Sequence, residues 1–411
     1  MMAALPWSAE AGTRIAAQSE CAPLTAANNI ARMRTELLEA FLEQVNRAPI
    51  SYCLLNGFQG YPETIASDVD FMIHPNDTER IPPLLREVAR RCGALLVQAI
   101  RHETGAWYFV LAKQAGGEVA YLHPDCTTDY RREGRLWIEA EAVLEKRKRY
   151  KTFFVPAIAD EFLYYLIKKI LKQSITEAQW RRIVALYLSC PEECDERIRR
   201  FWAEGTAEAL VAAFLRDDIG WMQFHLTALL SKLRASVPVE SRRKRARQRT
   251  GEWRRRLERV MNPTGLSVAV CGGTKQQRAE MAKALEENLR PAFRRTMICG
   301  EEEAGDDLWG AVSIWRAKVR STLVIRKKEA EAEAEDRLVR DEVGFVLSDG
   351  EAVKERSLGV PGSGRVSLDG KRPVAQNIER ATRVTLEYLA TRLRRQMTPD
   401  GLPPIPTRTE A

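Results

Sequence analysis

The segment Leu54-Leu-Asn-Gly-Phe58 is followed, nine residues later, by Asp68-Val-Asp-Phe71. Both are predicted to be buried strands, and the first ends in a glycine turn. Because side chains alternate along a strand, Asp68 and Asp70 lie on one face. Two carboxylates so placed repel each other unless a cation lies between them, and their oxygens suit Mg²⁺. Gly57 would let a triphosphate approach the backbone closely.

A third acidic residue on a neighbouring strand would complete a two-metal site for in-line displacement at phosphorus. Asp125, which follows an apolar strand, is the candidate, and Asp129 is close enough in the sequence to replace it. We interpret His123 as a structural side chain rather than a base. The alternative for Asp68 and Asp70 is that they cap a turn or face solvent.

These residues resemble the signature of the nucleotidyltransferase superfamily, which has the polymerase-β-like fold. The resemblance rests on Gly57, a short loop and Asp68-x-Asp70. It implies Mg²⁺-dependent transfer of a nucleoside monophosphate from an NTP. In that reaction Asp68, Asp70 and Asp125 would be catalytic metal ligands, and Gly57 and Ser67 would bind the nucleotide. The family usually has Gly or Ser directly after the glycine, whereas this chain has phenylalanine.

Residues 160–172 have the pattern of an amphipathic helix with Lys168 and Lys172 four residues apart on one face. Helical lobes in nucleotidyltransferases often supply such cations to the triphosphate, so the resemblance implies that both lysines bind NTP. An ordinary solvated helix face is the alternative.

The order of apolar patterns predicts three folded parts of different class: an α+β domain, an all-α helical lobe and a small α/β domain. Resemblance implies that the first is nucleotidyltransferase-like and the last P-loop-kinase-like. The composition places their boundaries and the segments between them. The predicted segments are a loose tail (1–28), the α+β domain (29–155), the helical lobe (156–239), a basic linker (240–262), the α/β domain (263–396) and a disordered tail (397–411).

A second glycine-rich strand end, Val268-Ala-Val-Cys-Gly-Gly273, occupies the place of a P-loop. The P-loop pattern requires Gly, Lys and Ser/Thr at the positions where this chain has Gln277, Arg278 and Ala279. The neighbourhood resembles a thymidylate-kinase-like domain. We therefore expect this fold without kinase catalysis, with Gly272 left as a candidate nucleotide-binding residue.

The net charge of +8 is concentrated in residues 242–259, which hold ten Lys/Arg and two acids, so the rest of the chain is neutral. This segment is either an exposed helix or a linker. It could pair with acids of a neighbouring domain, lie on an anionic membrane surface or a polyanionic glycan, or bind nucleic acid through phosphate contacts and stacking on Trp253.

The longest uncharged run, residues 48–62, has 15 residues, which is too short and too polar for a membrane span of roughly 20 apolar residues. The N-terminus has no signal-peptide pattern and the eight cysteines are scattered, so we expect a cytoplasmic protein with reduced thiols. The combination of domains resembles proteins of bacterial exopolysaccharide clusters, which implies a role in that biosynthesis.

Three functions are consistent with the sequence. The first is an Mg²⁺-dependent nucleotidyltransferase that takes an NTP and an unknown acceptor. The second is a non-catalytic nucleotide-binding regulator or scaffold in which both α/β-containing domains are degenerate. The third is a nucleotidyltransferase that modifies nucleic acid held by the basic segment.

Overall fold

A computed structural model of the chain has a mixed α/β fold. The first helix begins at Ala26, so residues 26–28, which we assigned to the loose tail, belong to this helix. The rest of the two predicted tails, 1–25 and 398–411, lies outside the described residues. The structure describes residues 26–65, 68–103, 105–300, 308–328, 343–348 and 364–397.

The N-terminal unit (residues 26–155) is built around a mixed sheet. Its helices are α1 (Ala26–Arg47), α2 (Ile81–Arg91) and α3 (Ala140–Glu145). Its strands are β1 (Tyr52–Leu54), β2 (Val69–Ile73), β3 (Leu95–Glu103), β4 (Ala106–Ala115), β5 (Glu118–Leu122), β6 (Pro124–Thr127), β7 (Tyr130–Arg132), β8 (Arg135–Ile138), β9 (Lys148–Tyr150) and β10 (Phe153–Val155).

Six of these strands form one sheet in the order β1-β2-β6-β4-β3, with β5 also paired to β4. Among the described pairings of this sheet, β2 and β6 run parallel and the others run antiparallel. The predicted helix at α1 is confirmed, and its apolar face packs on the sheet through Phe41, whose ring lies 5.2 Å from that of Phe71. The parallel pair lies near the middle of the sheet, where both strands are held from two sides.

Strand β3 has no counterpart in the predicted pattern. Its sequence mixes apolar and polar residues without regular alternation, and Gln98 is 2% exposed at its centre. The Gln98 side chain donates a hydrogen bond to the carbonyl oxygen of Thr264, 2.8 Å away. A buried amide of this kind is tolerated because its partner comes from a distant part of the chain.

The helical lobe follows the N-terminal unit and consists of five helices, in agreement with the all-α class expected for it. They surround an aromatic cluster in which the ring of Phe214 lies 5.3 Å from Trp180 and 5.5 Å from Phe162. Such ring pairs add to the stability that burial alone provides. The lobe consists of α4 (Ile158–Lys172), α5 (Glu177–Ser189), α6 (Pro191–Arg199), α7 (Glu204–Leu215) and α8 (Ile219–Ser236).

The basic segment is a helix, α9 (Arg242–Met261), so the helix expectation is correct and the extended linker is not. Ser241 caps it by accepting a hydrogen bond from the Lys244 backbone N–H. Within the described part of the chain, no helix has both the length and the apolar composition needed to cross a bilayer.

The C-terminal unit (residues 264–397) is a parallel α/β unit, as the alternating pattern predicted. Its described strands run parallel in the order β12-β13-β11-β14-β15, which places the glycine-ended strand β11 at the centre. The elements are β11 (Leu266–Gly272), α10 (Lys275–Leu289), β12 (Arg295–Cys299), α11 (Leu308–Val319), β13 (Thr322–Lys328), β14 (Val343–Ser348), β15 (Gly364–Asp369) and α12 (Val374–Gln396).

The C-terminal unit packs against the sheet of the N-terminal unit. Val97 and Val110 belong to the same buried cluster as the core residues of β11, and Leu393 of α12 enters the cluster beneath α1. Tyr121 donates a hydrogen bond to the carbonyl oxygen of Asn288, 2.7 Å away. Each unit therefore contributes side chains to the hydrophobic core of the other.

We expect Leu393→Ala to destabilise the whole chain by about 2–4 kcal/mol, because Leu393 is 7% exposed and fills space in the N-terminal core. Hydrogen exchange should show faster opening of α1 as well as of α12. The exposed Leu188→Ala is the matched control and should change stability by less than about 0.5 kcal/mol. Faster exchange confined to α12 would contradict the shared core.

Candidate functional site

The parallel pairing of β2 and β6 places Asp70 directly beside Asp125. Asp68 lies two residues before Asp70 and therefore on the same side of the strand. The intervening Val69 and the following Phe71 are fully buried on the other side, so the core holds the backbone that carries the acids. The structure thus brings the three predicted carboxylates to one edge of two neighbouring strands.

Asp129 does not take the place of Asp125. One oxygen of its carboxylate accepts a hydrogen bond from the Ala140 backbone N–H at 2.9 Å, and the other accepts one from Arg131 at 2.9 Å. These contacts hold the start of α3 and the β7–β8 ribbon. The choice that the sequence left open therefore falls on Asp125.

Gly57 lies at the end of β1, next to the carboxylates. Its φ of +71° is a conformation that favours glycine, and a Cβ atom built there would meet nothing within 4 Å. The neighbouring Asn56 side chain donates to a carboxylate oxygen of Asp70 at 3.4 Å, and the backbone N–H of Leu55 donates to the Asp70 carbonyl at 3.0 Å. An open approach to the backbone therefore exists beside Asp70.

Phe58 occupies the position where the resembled family has a small residue. Its side chain is 5% exposed, and its ring lies 5.4 Å from that of Tyr150 and 6.2 Å from that of Phe153. The phenylalanine therefore points into the core beneath the glycine turn. It leaves the open side of Gly57 uncovered.

The environment of Asp125 disfavours its ionised form. Burial, the largest cause, and the carboxylates of Asp70 and Asp68 together raise the pKa of Asp125 to about 7, while Lys168 opposes the rise. A cation placed between the carboxylates would relieve this repulsion. The raised pKa of Asp125 is therefore consistent with a site that binds a cation.

Aromatic and imidazole side chains border the carboxylates. Tyr108 donates a hydrogen bond to Asp68 at 3.4 Å, and burial followed by the Asp68 charge raises the pKa of the phenol, which stays protonated. His102 Nε2 lies 3.8 Å from a carboxylate oxygen of Asp125. Burial lowers the pKa of His102, the cations of α9 lower it further, and Glu103 opposes them. His102 could not be predicted from the sequence because β3 has no regular strand pattern.

Lys168 and Lys172 lie on the last turns of α4, on the side that faces the acids. The Lys168 Nζ is 5.3 Å from the centre of the Tyr164 ring. Burial lowers the pKa of Lys172 and the charge of Lys168 lowers it further, while Asp70 opposes the change. The charges of the two predicted lysines therefore act on the same site as the carboxylates.

Lys169 is a third cation at this end of α4, which sequence analysis overlooked. It is 8% exposed, and its Nζ lies 4.9 Å from the ring centre of Tyr165. Burial and the charges of Lys168 and Lys172 lower its pKa. The positive charges of three lysines at the end of α4 therefore act on the site of the three carboxylates. This arrangement suits an anionic ligand that binds together with a cation.

An open pocket of about 560 Å³ lies beside the carboxylates at the start of β12. His123 connects the two, because its Nε2 is 2.9 Å from the Pro291 carbonyl oxygen in the pocket wall and its Nδ1 is 3.8 Å from Asp68. No sequence signal marks this pocket, since its cations look like ordinary surface residues. They are Arg290, Arg294 and Arg295.

The glycine-rich strand end of the C-terminal unit is filled by its own side chains. Gly272 and Gly273 turn with φ of +70° and +60°, and Arg278, which is 2% exposed, donates hydrogen bonds to both carbonyl oxygens at 3.2 and 2.7 Å. Thr274 and Gln277 form a capping box that uses the first N–H groups of α10. In a P-loop those N–H groups would bind phosphate.

One small cavity lies among the described residues near the carboxyl end of β14. It has a volume of about 10 Å³ and lies between Gln277, Leu347 and Asn377. It is large enough for one water molecule and far too small for a nucleotide. The structure places Gly272 on a different sheet from the carboxylates and does not bring it into their site.

The carboxylates suit a Mg²⁺ ion that is also bound by water and phosphate oxygens. Within the described residues, no three His, Cys, Asp or Glu side chains are spaced to enclose a metal ion. Mg²⁺ in phosphoryl-transfer sites usually keeps several waters and takes phosphate oxygens together with one or two carboxylates. Asp70 and Asp125 therefore suit an ion that arrives with a phosphate ligand. Ser67 lies outside the described residues.

Comparisons of the chain with protein-family models, with curated proteins and with solved structures return no match. Its function is therefore inferred from the geometry and charge of the site.

In metal-free buffer we expect Asp125→Asn to raise stability more at pH 8 than at pH 5. The folded pKa of about 7 lies above the ordinary value of 3.8, so the folded state holds the proton more tightly. Its stabilising contribution is full only below the ordinary pKa and is lost progressively as pH rises through the folded pKa of about 7. Urea unfolding with EDTA at both pH values measures the difference.

The exposed Glu79→Gln is the matched control for this comparison, and its effect should be small at both pH values. If Asp125→Asn stabilised the protein equally at pH 5 and pH 8, the raised pKa of Asp125 would be wrong.

Proposed function

We propose that the chain is an Mg²⁺-dependent nucleotidyltransferase that transfers a nucleoside monophosphate from an NTP to an acceptor. The observation that carries the proposal is the register of β2 and β6, which sets Asp70 beside Asp125 with Asp68 on the same side. The lysines at the end of α4 and the open turn at Gly57 support it, because both suit a triphosphate.

In the proposed reaction, an acceptor oxygen forms a bond to the α-phosphorus while the bond to the pyrophosphate bridging oxygen breaks. Pyrophosphate leaves with the bonding electron pair, and the acceptor proton passes to solvent. Mg²⁺, when bound, would neutralise charge on the phosphate oxygens and on the leaving group. The residues that would hold it are Asp70 and Asp125, together with the phosphate oxygens, and Asp68 is the further acid that the resemblance implies.

The protein side chains would orient the nucleotide from two directions. Lys168, Lys169 and Lys172 would supply positive charge from the end of α4 in the helical lobe. The backbone at Gly57 offers close approach from the sheet side. The cytoplasm, where NTP and Mg²⁺ are abundant, is the compartment that suits this chemistry.

We further propose that the C-terminal unit is a kinase-like fold without kinase activity. Support comes from Arg278, whose guanidinium lies against the glycine turn, and from the Thr274–Gln277 capping box, which uses two backbone N–H groups near the start of α10. Its packing on β3 and α1 gives it a structural role instead. Bacterial exopolysaccharide biosynthesis is the process that the sequence resemblance favours, and the acceptor would belong to that process.

A non-catalytic nucleotide-binding regulator is the second candidate. The contacts of Arg278 with the glycine turn of the C-terminal unit favour it. Side chains there occupy the place where a P-loop would bind nucleotide, so that second site would be non-catalytic. The two candidates differ in turnover. Both predict Mg·NTP binding at the carboxylates, and the enzyme alone predicts release of pyrophosphate.

We expect Mg·NTP to raise the melting temperature of the native chain and Asp70→Asn to abolish the rise. Saturation at a hundred times Kd corresponds to about 2.7 kcal/mol. The variant keeps the shape of the side chain and its hydrogen bond with Asn56, so the unliganded fold should be retained. Pyrophosphate release should fall at least about a hundredfold, because transition-state charge loses its stabilisation.

Glu79→Gln serves as the control and should leave both readouts unchanged. Binding without pyrophosphate release for any tested acceptor would favour the regulator. If Asp70→Asn bound and turned over Mg·NTP like the native chain, the carboxylates would not form the nucleotide site.

We expect Arg278→Ala to destabilise the chain by about 1–3 kcal/mol and to leave Mg·NTP affinity unchanged. The substitution removes the donor to two glycine carbonyl groups inside the C-terminal unit. Arg278→Lys is the matched variant, since it keeps the charge. A loss of nucleotide affinity in Arg278→Ala that Arg278→Lys restored would show that the glycine-rich strand end binds phosphate.

A further inference from the structure

Helix α9 is attached to the rest of the protein by polar contacts on one side. None of its side chains is buried. Arg255 donates a hydrogen bond to the carbonyl oxygen of Arg101 at 3.3 Å, and Arg245 donates one to the carbonyl oxygen of Glu240 at 3.1 Å. These anchors orient the helix without using its apolar residues.

The opposite side of α9 exposes large apolar side chains. Trp253, Leu257 and Met261 are 73%, 60% and 71% exposed. Their spacing of four residues places them one above another on a single stripe. A helix that turned its apolar residues inward would bury them against the protein, and α9 does the reverse. We name these three residues the α9 stripe.

Cations surround the α9 stripe on the same outer surface. At 100° per residue, Arg249 and Arg256 lie to one side of the stripe, and Arg243 and Arg247 lie to the other. All four are exposed, and within the described residues none has an acid at ion-pair distance. The segment that contains them carries the whole net charge of the chain.

An anionic bilayer offers a binding partner for both the α9 stripe and the arginines beside it. Aromatic and aliphatic side chains flanked by arginine bind at the boundary between lipid headgroups and acyl chains. Nucleic acid would use the cations and could stack on Trp253, but it offers no partner for Leu257 and Met261. A second copy of the chain would bring two segments of +8 together.

We propose that α9 lies on anionic membrane surfaces and attaches the protein to them as a peripheral protein. The α9 stripe enters the interface, and the flanking arginines contact lipid phosphates. The inward side of the helix, through Arg255 and Arg259, borders His102 beside Asp125, so attachment would hold the carboxylate site close to the bilayer. The attachment does not depend on nucleotidyl transfer.

Vesicle flotation of the full chain tests this proposal. We expect binding to phosphatidylcholine vesicles that contain 30% phosphatidylglycerol, weak binding to pure phosphatidylcholine and loss of binding in high salt. Replacing the α9 stripe by alanine should lower the partition coefficient at least about tenfold at fixed salt. Replacing Arg249 and Arg256 by glutamine should also lower it at least about tenfold.

Matched controls separate α9 from exposed residues in general. Phe224→Ala with Leu215→Ala removes comparably exposed apolar side chains from the helical lobe, and Arg383→Gln with Arg394→Gln removes two exposed cations from α12. Both control pairs should bind vesicles like the native chain. All substituted residues are exposed, so unchanged melting curves should accompany each variant.

Several results would overturn the proposal. Equal binding to neutral and anionic vesicles would remove the role of the arginines, and unchanged binding of the α9 stripe variant would remove insertion. Binding to RNA or DNA with no vesicle binding would assign the helix to nucleic acid. Dimerisation that depended on the α9 stripe, again without vesicle binding, would assign it to a second copy of the chain.

Discussion

The parallel register between β2 and β6 holds Asp70 beside Asp125, and the candidate site depends on this pairing. A buried carboxylate beside like charges destabilises the folded chain, and the pKa of Asp125 is raised first by burial and then by the charge of Asp70. The buried residues of the same strands offset this destabilisation, because β2 is held between α1 on one side and the helical lobe on the other. Functional sites often retain such locally unfavourable arrangements.

The C-terminal unit is a parallel α/β unit whose glycine turn at the end of β11 is occupied by its own Arg278 side chain. In parallel α/β sheets, ligands bind beyond the carboxyl ends of the strands, where the order of the strands reverses. In this chain that position holds the Arg278 guanidinium and a capped helix start. The outer helix α12 packs instead on β3 and reaches the core under α1. The C-terminal unit therefore contributes contacts that stabilise the N-terminal unit.

Local sequence predicted much of the fold because strong periodic patterns need no distant partner. The helices of the lobe, α1 and the parallel C-terminal unit follow directly from apolar spacing. Strand β3 did not, since Gln98 is buried only through a hydrogen bond with Thr264 in another unit. The direction of Phe58 was equally hidden, because it depends on Tyr150 and Phe153, which are remote in the sequence.

The sequence by itself determined which residue types are available: acids two residues apart in a strand, a glycine turn, a basic segment and a P-loop position without its lysine. Spacing along one strand or one helix is local, so these features could be read directly. Only the tertiary structure decided that Asp125 rather than Asp129 stands beside Asp70, and that the lysines of α4 oppose them. It also decided that α9 turns its apolar side outward. Each of these outcomes depends on how separate elements pack, and pairing register and helix orientation are set by contacts between residues far apart in the chain.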